Sequence, residues 1–567
     1  MIINVPGLNI KNLKNCNMAI SVFGATKVTA PKKNVFDLSH SVKFSGNAGY
    51  LYPVACIPVV PGDTFDISAD VFCRLAPLAT PCLANVDVRL EAFFGANRIL
   101  WPNWEKFIVF EHRQQDDPKP QLPYINLRTA KSAEETDHYN RTGVGSLADY
   151  LGIPVTQLDF IDGDADMKVS ALPFAMYQKT WLDYYCDNNI QKQLIDAYYA
   201  GADNKGGLFD GDNTSRFLNL MTMHHRMWRK DYFTSALPDA QRGSDVLIPV
   251  TGGDVSIIFD ENGGTPGFAP SDIYTNGTSG SATGGNLQAL RGTLKATDTG
   301  SLADATIDNS KNLKGSVDGV NATITDLRTA MATQRLLELS MRVGSRLKEQ
   351  LLGIFGVKSS DSRLDRIEYL GGSSVPIMIG EVAQTSASGI GDTPQANMAG
   401  KGIASGQLSY GRKYFEEHGY ILIMASIVPK ASYFQGMPRH FKNFDMEDFY
   451  WPMFQHIGEQ AIRNEEIFFG TSDENNNATF GYAPRYSDYK WLPSTVKGQF
   501  RTDSLNNMHM ARIFATRPYL NQDFLNIRAE SANRVFAVTS SDFDHFWLDV
   551  YFKIKAKRPM DYFGSPI

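Results

Sequence analysis

The chain has 567 residues, with 55 Lys and Arg against 61 Asp and Glu, and its formal net charge is −6. This balance excludes a strongly basic nucleic-acid coat, and contents of 43% hydrophobic and 11% aromatic residues exclude a disordered chain. The spacing of the cysteines predicts a reduced compartment with neither a disulfide framework nor a zinc site: Cys16, Cys56, Cys73, Cys82 and Cys186.

The N-terminal segment and the longest apolar run give no indication of a membrane. Pro6 and Gly7 interrupt the region where a secretory peptide needs unbroken apolar sequence. The best apolar run, residues 421–428, is far shorter than the roughly 20 residues of a membrane helix. We therefore expect a soluble protein that is made in a cytoplasm.

Alternation of apolar and polar residues between positions 36 and 94 predicts antiparallel β-strands. The clearest run places Val86, Val88 and Leu90 on one face, with charged residues between them. The same pattern returns in residues 419–429 and near the C-terminus, in Leu548, Val550, Phe552 and Ile554. Because isolated strands are unstable, we expect both ends of the chain to form one sheet domain with a long middle inserted.

The middle of the chain is predicted to contain helices. Ser146 is a candidate N-cap for a short helix that Gly152 and Pro154 end. Residues 173–199 are rich in aromatics and contain no glycine, which favours helical packing on the sheet domain. The strongest prediction is one helix over residues 327–355, lying on a core through an apolar stripe: Leu336, Leu339, Val343, Leu347, Leu351 and Ile354.

The composition changes abruptly over residues 252–326. This segment is dominated by Gly, Thr, Ser and Asn, and it holds nine acidic residues against four basic ones. Such a segment cannot build much core of its own. We predict an exposed, acidic, loop-rich projection, and the alternative is a disordered linker.

No motif for catalysis is complete. Residues 162–166 resemble the start of a calcium loop, but Met167 stands where that loop needs Gly. The adjacent His224 and His225 point apart on any regular element, so an interface or core edge is favoured over a metal site. No Walker A loop or GxSxG elbow occurs. We therefore predict no enzyme activity, no metal and no cofactor.

Both ends of the chain are basic. Lys11, Lys14, Lys27, Lys32 and Lys33 stand in an N-terminal segment without acidic residues. A second cluster follows near the C-terminus: Lys553, Lys555, Lys557 and Arg558. Basic ends on an acidic chain indicate one face that meets a polyanion, and the alternative is ordinary solvated termini.

Ten local strings, in order along residues 36–500, resemble the major capsid protein of microviruses, the small single-stranded DNA phages, and above all its gokushovirus branch. They are FDLSH, PVVPGDTF, RLAPLATP, NRILWPNWEKF, SLADYLGIP, SALPFAMYQKTW, DYFTSALP, YLGGSSVPIMI, DFYWPMFQHIGEQAI and RYSDYKWLPSTVKGQF. The resemblance spans about residues 35 to 530 and leaves out the basic N-terminal arm and residues 252–326.

The resemblance implies an all-β core with helical insertions, built as a single eight-stranded antiparallel jelly roll with long loops. It further implies that about 60 copies close into a T=1 icosahedral virion around circular single-stranded DNA, assembled in a bacterial cytoplasm. Separate scaffolding and DNA-pilot proteins are expected partners. In this branch an insertion forms protrusions at the three-fold axes that are thought to touch a host receptor.

These implications assign regions of the chain. We expect a basic N-terminal arm (1–34), a discontinuous jelly-roll core (35–110 and 370–567), a mixed helix and loop insertion (111–251 and 327–369) and a surface protrusion (252–326). The aromatic residues predicted for host contact in the protrusion are Phe259, Phe268 and Tyr274.

Two sets of contact residues follow. Large amphipathic rings in proline-bounded loops suit subunit contacts, and we predict that role for Trp101, Trp104, Trp451 and Trp491. Trp181 and Trp228 lie in similar loops. The alternative for all six tryptophans is packing inside the subunit, which we expect for half of them, and the sequence does not indicate which half. For DNA inside the shell we nominate Lys32, Lys33, Lys553, Lys555, Lys557 and Arg558.

Two other functions compete with the capsid hypothesis. The first is a cytoplasmic β-sandwich hydrolase of glycans, with facing carboxylates and tryptophan platforms. The second is a carbohydrate-binding attachment protein, since lectins share the jelly-roll architecture.

Overall fold

A computed structural model describes residues 32–108, 122–127, 130, 140–155, 168–190, 219–244, 246, 323–344, 346–383, 398–470, 473–540 and 542–563, and between 256 and 316 the strands alone. The chain divides into two compact units. The first comprises Met1–Ala240 and Ser340–Ile567, and the second is Gln241–Leu339.

The strands, numbered in chain order over the described residues, account for most of the regular structure. They are β1 (Asn34–Asp37), β2 (His40–Gly46), β3 (Tyr52–Val59), β4 (Thr64–Leu75), β5 (Val86–Ala96), β6 (Tyr124–Asn126), β7 (Lys168–Ser170), β8 (Ser256–Phe259), β9 (Ile273–Thr275), β10 (Leu287–Leu290), β11 (Thr293–Asp298), β12 (Ser301–Ile307), β13 (Leu313–Ser316), β14 (Glu368–Pro376), β15 (Met378–Ala383), β16 (Met398–Tyr414), β17 (Gly419–Pro429), β18 (Glu459–Arg463), β19 (Thr479–Pro484) and β20 (Phe546–Arg558).

Two antiparallel sheets form the centre of the first unit. One has the order β1-β20-β4-β16-β15, with β2 also paired to β20, and the other has the order β14-β5-β17-β3. The N-terminal and C-terminal strands are neighbours in the first sheet, which confirms that both ends of the chain build one domain. The strand predicted for residues 419–429 is β17, with the same bounds.

A hydrophobic core lies between these sheets. Along β20 the inward residues Leu548, Val550, Phe552 and Ile554 are buried, as their alternation predicted. They share one cluster with Phe65 and with residues of the other sheet, among them Val88 and Ile421. The inner face of each sheet is therefore covered by the inner face of the other sheet.

Short helical segments and loops cover the outer face of the four-stranded sheet. Buried residues of the segment around Phe174 and Tyr177 pack with Leu422 and Met424 of β17 in a second hydrophobic cluster. The helices in this layer are Asn97–Leu100, Trp104–Ile108, Leu147–Tyr150 and Leu172–Thr180, with a π-helical turn at Trp181–Tyr185. Ser146 caps its helix by accepting from the Asp149 amide (3.4 Å), which confirms the predicted N-cap.

The predicted helix over residues 327–355 is wrong in two respects. The chain forms two helices, Ile324–Val343 and Leu347–Phe355, because Gly344 adopts a left-handed conformation (φ 115°) between them. Glu349 also caps the second helix, accepting from the Arg346 amide at 3.2 Å. The apolar stripe is not buried on a core, since Leu336 and Leu347 are exposed and its other four members are only half-buried.

The loops between β17 and β20 pack with the segment around Phe233 in a third cluster of buried residues, which includes Ile462 and Phe524. Their helices are Asp473–Asn477, Ser487–Lys490, Gln522–Leu525 and Ala529–Asn533. Single 3-10 turns occur at Asp361–Leu364, Arg439–Lys442, Met446–Asp448, Pro452–Phe454, Asn464–Glu466, Gly498–Arg501 and Asn506–Met508. These loops therefore have a packed base of their own.

The second unit contains short antiparallel strands. Four of them pair in the order β10-β11-β12-β9, and β13 pairs with β8. Of residues 252–326, the structure describes only these six strands and residues 323–326. The exposed, acidic, loop-rich projection stays a prediction.

Candidate functional site

An apolar strap, residues 441–457, follows the end of β17 and carries the densest group of exposed apolar side chains among the residues that the structure describes. It consists of 3-10 turns with extended residues between them. Contiguous exposed apolar surface of this kind marks an interaction site. The exposed members are Phe441, Phe444, Met446, Phe449, Tyr450, Trp451, Met453 and Ile457.

Hydrogen bonds fix the backbone of the strap while its side chains face outward. The Trp451 amide donates to the Tyr486 hydroxyl (3.3 Å), which in turn donates to the Phe449 carbonyl (3.1 Å). Asp448 accepts from the amides of Phe444 and Asp445, both at 3.1 Å, and these bonds hold the pKa of its carboxyl below the usual range. A fixed backbone lowers the entropy that docking would cost.

Buried acids anchor the base of the strap. Glu465 lies 3.3 Å from the Lys442 ammonium, and Glu466 lies 3.4 Å from the Arg439 guanidinium. The Tyr232 hydroxyl donates to Glu466 at 2.9 Å. Burial raises the pKa of Glu466, although a hydrogen bond from the Arg463 amide and the positive charge of Arg439 each lower it in part. These pairs tie the 3-10 turn at the start of the strap to the third hydrophobic cluster.

Trp451 and Trp491, two of the predicted contact residues, belong to this surface. Trp451 is 40% exposed, and its indole N–H donates to the Met446 carbonyl at 3.0 Å. Trp491 is half-exposed and stacks on Tyr232 at 6.5 Å between ring centroids. Tyr489, 6.5 Å from Tyr450 between centroids, joins the segment of Trp491 to the strap.

Trp101, Trp104, Trp181 and Trp228 pack within the subunit to different extents. Trp101 is 4% exposed and lies 5.6 Å from Phe107 between ring centroids, so the contact role predicted for it does not fit its burial. Trp104 is half-buried between Phe107 and the edge of His418. Trp181 and Trp228 are buried. Position in a proline-bounded loop therefore does not distinguish contact residues from core residues.

The two basic clusters meet at the edge of the six-stranded sheet. Antiparallel pairing of β1 with β20 places Asn34 opposite Arg558, and Lys33 immediately precedes this pair. The Lys33 ammonium donates to the Gly62 carbonyl (2.7 Å) and lies 5.0 Å from the centre of the Tyr414 ring. Lys32 is exposed beside it. The structure thus brings together residues from opposite ends of the chain.

Three lysines form a row on the outer face of β20: Lys553, Lys555 and Lys557, all exposed. Lys553 lies 2.7 Å from the Asp70 carboxylate of β4. The pKa of Asp37 is lowered by hydrogen bonds from Ser39 and, to a smaller extent, by the charge of Lys555. Each lysine projects outward because it alternates with a buried core residue.

Arg558 differs from these lysines. Its side chain is mostly buried, and its guanidinium lies 3.2 Å from the carboxylate of the fully buried Asp63. It also donates to the Pro58 carbonyl at 2.6 Å and lies over the Phe65 ring. Its charge is neutralised inside the subunit, so it does not fit the predicted DNA contact.

The residues predicted for host contact lie in the second unit. Phe259 belongs to β8 and stands opposite Leu313 of β13, and Tyr274 belongs to β9 opposite Thr306 of β12. Phe268 and the acidic run at 162–166 lie outside the described residues. Within the part of the chain that the structure describes, no cluster of three or more His, Cys, Asp and Glu could hold a metal.

Comparison with known proteins identifies the family. The profile of the capsid protein (F protein) family of phages matches residues 26–567. The chain belongs to this phage capsid protein family. Capsid protein VP1 of Chlamydia phage 1 is 30% identical over 596 residues, which cover 96% of this chain and 97% of the relative.

Two further capsid proteins show the same full-length similarity. Capsid protein VP1 of Bdellovibrio phage phiMH2K is 32% identical over 94% of this chain and 95% of its own. That of Spiroplasma virus 4 is 28% identical over 98% and 99%. The chain is therefore a major capsid protein of the microvirus type, a structural protein that assembles with itself in a virion. Among the described residues, no helix is both long and apolar enough to cross a bilayer.

Sequence reasoning missed most of the strap of this capsid protein. Phe441, Phe444 and Met453 are strongly exposed. Of this segment, only Trp451 was predicted as a contact residue. A usable signal exists, because many aromatics occur there without the alternation of a strand or the spacing of a helix. A segment with this pattern has no regular apolar face through which its rings could pack in a core, so it predicts exposed rings.

Proposed function

We propose that this capsid protein closes into a T=1 icosahedral shell of about 60 copies around circular single-stranded DNA. The observation that carries the proposal is the full-length match to microvirus VP1 proteins, on a chain whose centre is a two-sheet sandwich. Assembly in the cytoplasm of a bacterial host, helped by scaffolding and DNA-pilot proteins, belongs to the same proposal. In this role the protein is structural and carries out no catalysis.

We propose that the sandwich is a single eight-stranded jelly roll. The strand order β2-β20-β4-β16 in one sheet and β3-β17-β5-β14 in the other supports it. Consecutive strands among these eight lie in different sheets except for β5 and β14, which pair with each other in the four-stranded sheet. The predicted core ranges 35–110 and 370–567 are compatible with this assignment, since the eight strands lie inside them except for the first two residues of β14.

We propose that the strap, with Trp451 and Trp491, forms contacts between copies in the shell. Support comes from the exposure of its rings and from the hydrogen bonds that hold its backbone before any partner arrives. Aromatic residues and Met are enriched in the centres of protein interfaces. Trp104 stays a weaker candidate at a separate position.

We propose that the lysine row of β20, together with Lys32 and Lys33, faces the DNA. Each copy would bind weakly, and many copies on one strand would bind strongly. The pairing of β1 with β20 supports the proposal, because it concentrates both basic clusters at one edge of a sheet.

We propose that residues 252–326 form the protrusion and that Phe259, Phe268 and Tyr274 contact a receptor on the host. The segment falls inside the separate second unit, which supports a projecting element with its own strands. Its acidic composition sets it apart from the basic edge proposed for DNA. Deletion of the segment should spare assembly and impair infection.

Electron microscopy with nuclease protection tests the function. Particles are purified from cells that produce this chain with its neighbouring genes. Closed icosahedral shells with three-fold projections and protected single-stranded DNA are expected. Monomers or trimers without a shell, despite those neighbours, would contradict the proposal.

A further inference from the structure

The outer face of the six-stranded sheet carries three exposed aromatic rings that no function above uses. They are Phe72 on β4 and Trp547 and Tyr551 on β20, which are 39%, 42% and 44% exposed. Each ring belongs to a residue that points outward from a strand in which buried and exposed residues alternate. The strand geometry therefore fixes its exposure.

The register of the strands groups the three rings. Asp549 stands between Trp547 and Tyr551 on the outer face of β20, and it lies directly opposite Phe72 of β4. Phe72 is therefore the diagonal neighbour of both rings, at a separation that aromatic side chains can span. The Trp547 indole N–H donates to the Asp544 carbonyl at 3.1 Å, which fixes the orientation of that ring.

Basic side chains surround the rings. Arg74 stands opposite Trp547, and its guanidinium carbon lies 5.3 Å from the centre of the Phe72 ring. Beyond Tyr551, the lysine row continues along the same face of β20. Two of the acids on this face are paired with lysines, since Asp70 lies 2.7 Å from Lys553 and Asp549 lies 3.4 Å from Lys43. Asp66 and Asp37 also lie on this face.

A cavity of about 860 Å³ opens beside the rings. Phe72, Arg74, Trp547, Asp549 and Lys43 line it on the side of the sheet. This volume lies within the range of small-ligand sites and is large enough for a nucleobase with its sugar. A planar group that enters there meets the rings of Phe72 and Trp547 and the guanidinium of Arg74.

We propose that this aromatic face (Phe72, Trp547 and Tyr551) binds unstacked bases of single-stranded DNA, while the lysine row holds the phosphates that follow. The inference rests on the proposed function, in which the chain encloses single-stranded DNA. Aromatic platforms beside a basic track are the means by which proteins bind single strands without sequence preference. The bases of a duplex stack on one another and leave no ring free for these side chains. The lysine row supplies the positive charge that the phosphates of a single strand require, and the neighbouring rings supply the surface on which its bases stack.

The test uses the full-length chain, an oligo(dT) and an abasic oligonucleotide of equal length. The abasic strand has the same phosphates without bases, so it separates stacking from charge. Trp547→Ala and Tyr551→Ala should each weaken oligo(dT) binding roughly tenfold and leave binding of the abasic strand unchanged. Tyr519→Ala, at an exposed ring outside the aromatic face, should change neither.

Conservative variants guard against misfolding. Trp547→Phe and Tyr551→Phe keep an aromatic ring and should restore most of the affinity for oligo(dT). Ultraviolet crosslinking inside native particles gives a second measurement, and crosslinked nucleotides are expected on peptides of β4 or β20. Crosslinks that occur only on other peptides would overturn the proposal.

The outcomes separate this proposal from the one on which it rests. If the alanine variants bind oligo(dT) as the natural chain does while Lys555→Gln and Lys557→Gln weaken it, the aromatic face is wrong and DNA enclosure stands. If shells form without DNA, the proposed function itself fails. If the alanine variants prevent assembly but leave oligo(dT) binding unchanged, the face is a contact between copies and the proposal is overturned.

Discussion

The outer faces of the two sheets in the sandwich are covered to different extents. Strand β17 is buried along nearly its whole length, because helices and loops of the same chain cover the four-stranded sheet. Strand β20 alternates strictly between buried and exposed residues, so its outer face is left without cover among the described residues. A strand that is apolar throughout thus marks a face that the chain covers itself, and an alternating strand marks a face left for solvent or a partner.

The largest effect is expected on the covered sheet. Leu422 of β17 is fully buried against the helical layer, so Leu422→Ala should lower the free energy of unfolding by about 2–5 kcal/mol. Tyr551→Ala, on the uncovered face of β20, should change it by less than about 1 kcal/mol. Urea denaturation of both purified chains measures the difference. Equal losses would mean that the outer face of β20 is covered after all.

The strap should respond in the opposite way to a core residue. Phe444→Ala removes an exposed ring, so the chain should unfold as before, while the concentration needed for assembly rises about tenfold or more. Light scattering and sedimentation follow the assembly. Tyr519→Ala is the matched control at another exposed ring and should assemble normally. Normal assembly of a Phe444→Ala, Trp451→Ala double variant would exclude the strap as a contact.

Acid should loosen the layer over the four-stranded sheet. His224 stacks on Trp181 at 3.8 Å, and burial, with the nearby His225, lowers its pKa to about 3. It stays neutral in the fold, whereas in the unfolded chain it takes up a proton below about pH 6.5. The contribution of His224 to the free energy of unfolding is therefore fully present above about pH 6.5. It falls by about 1.4 kcal/mol per pH unit as the pH drops toward the pKa in the fold.

Urea denaturation at about pH 7 and about pH 5.5 measures this loss. His224→Phe keeps a stacking ring without the titrating group, so its stability should depend less on pH than that of the natural chain. Burial also lowers the pKa of His225, which leaves a smaller slope in the variant. An unchanged slope would show that His224 is not the group that acid acts on.

The smallest effect concerns the uncovered face of β20. Lys555→Gln and Lys557→Gln should each reduce the slope of log affinity for single-stranded DNA against log salt by roughly 0.7. Fluorescence anisotropy over a salt series measures it. Lys413→Gln is the control, because Lys413 pairs with Glu368 of β14 in the other sheet (3.3 Å). A reduced slope in the control alone would place the DNA elsewhere.

The sequence predicted what depends on local period and failed where tertiary context decides. The bounds of β17, the inward residues of β20 and the Ser146 cap follow from alternation and capping, and all three are confirmed. The helix over residues 327–355 was wrong because periodicity does not register the break that Gly344 introduces. Its amphipathic stripe indicated a buried face, and no period can say which partner covers such a face.

The candidate surfaces were predicted only in part. The alternation of β20 placed Lys553 and Lys555 on its outer face, yet a one-residue extension of the cluster led to Arg558, which the buried Asp63 binds inside the subunit. Phe72 was missed, because its nearness to Trp547 and Tyr551 arises from the pairing of strands far apart in sequence. Trp101 was predicted as a contact residue because neither its residue type nor its proline-bounded loop determines whether a tryptophan is buried.

The position of β20 constrains how the protein is made. This strand lies between β2 and β4, and its Ile554 amide donates to Ser39, 515 residues earlier (3.1 Å). About 470 residues separate the end of β4 from the start of β20, so at 5–20 residues per second a ribosome needs roughly 25–95 s to supply the missing strand. Throughout that interval the nascent chain has open strand edges that invite pairing with other chains. Only a chain translated through residue 558 can complete the sheet, which keeps truncated chains from presenting its finished outer face.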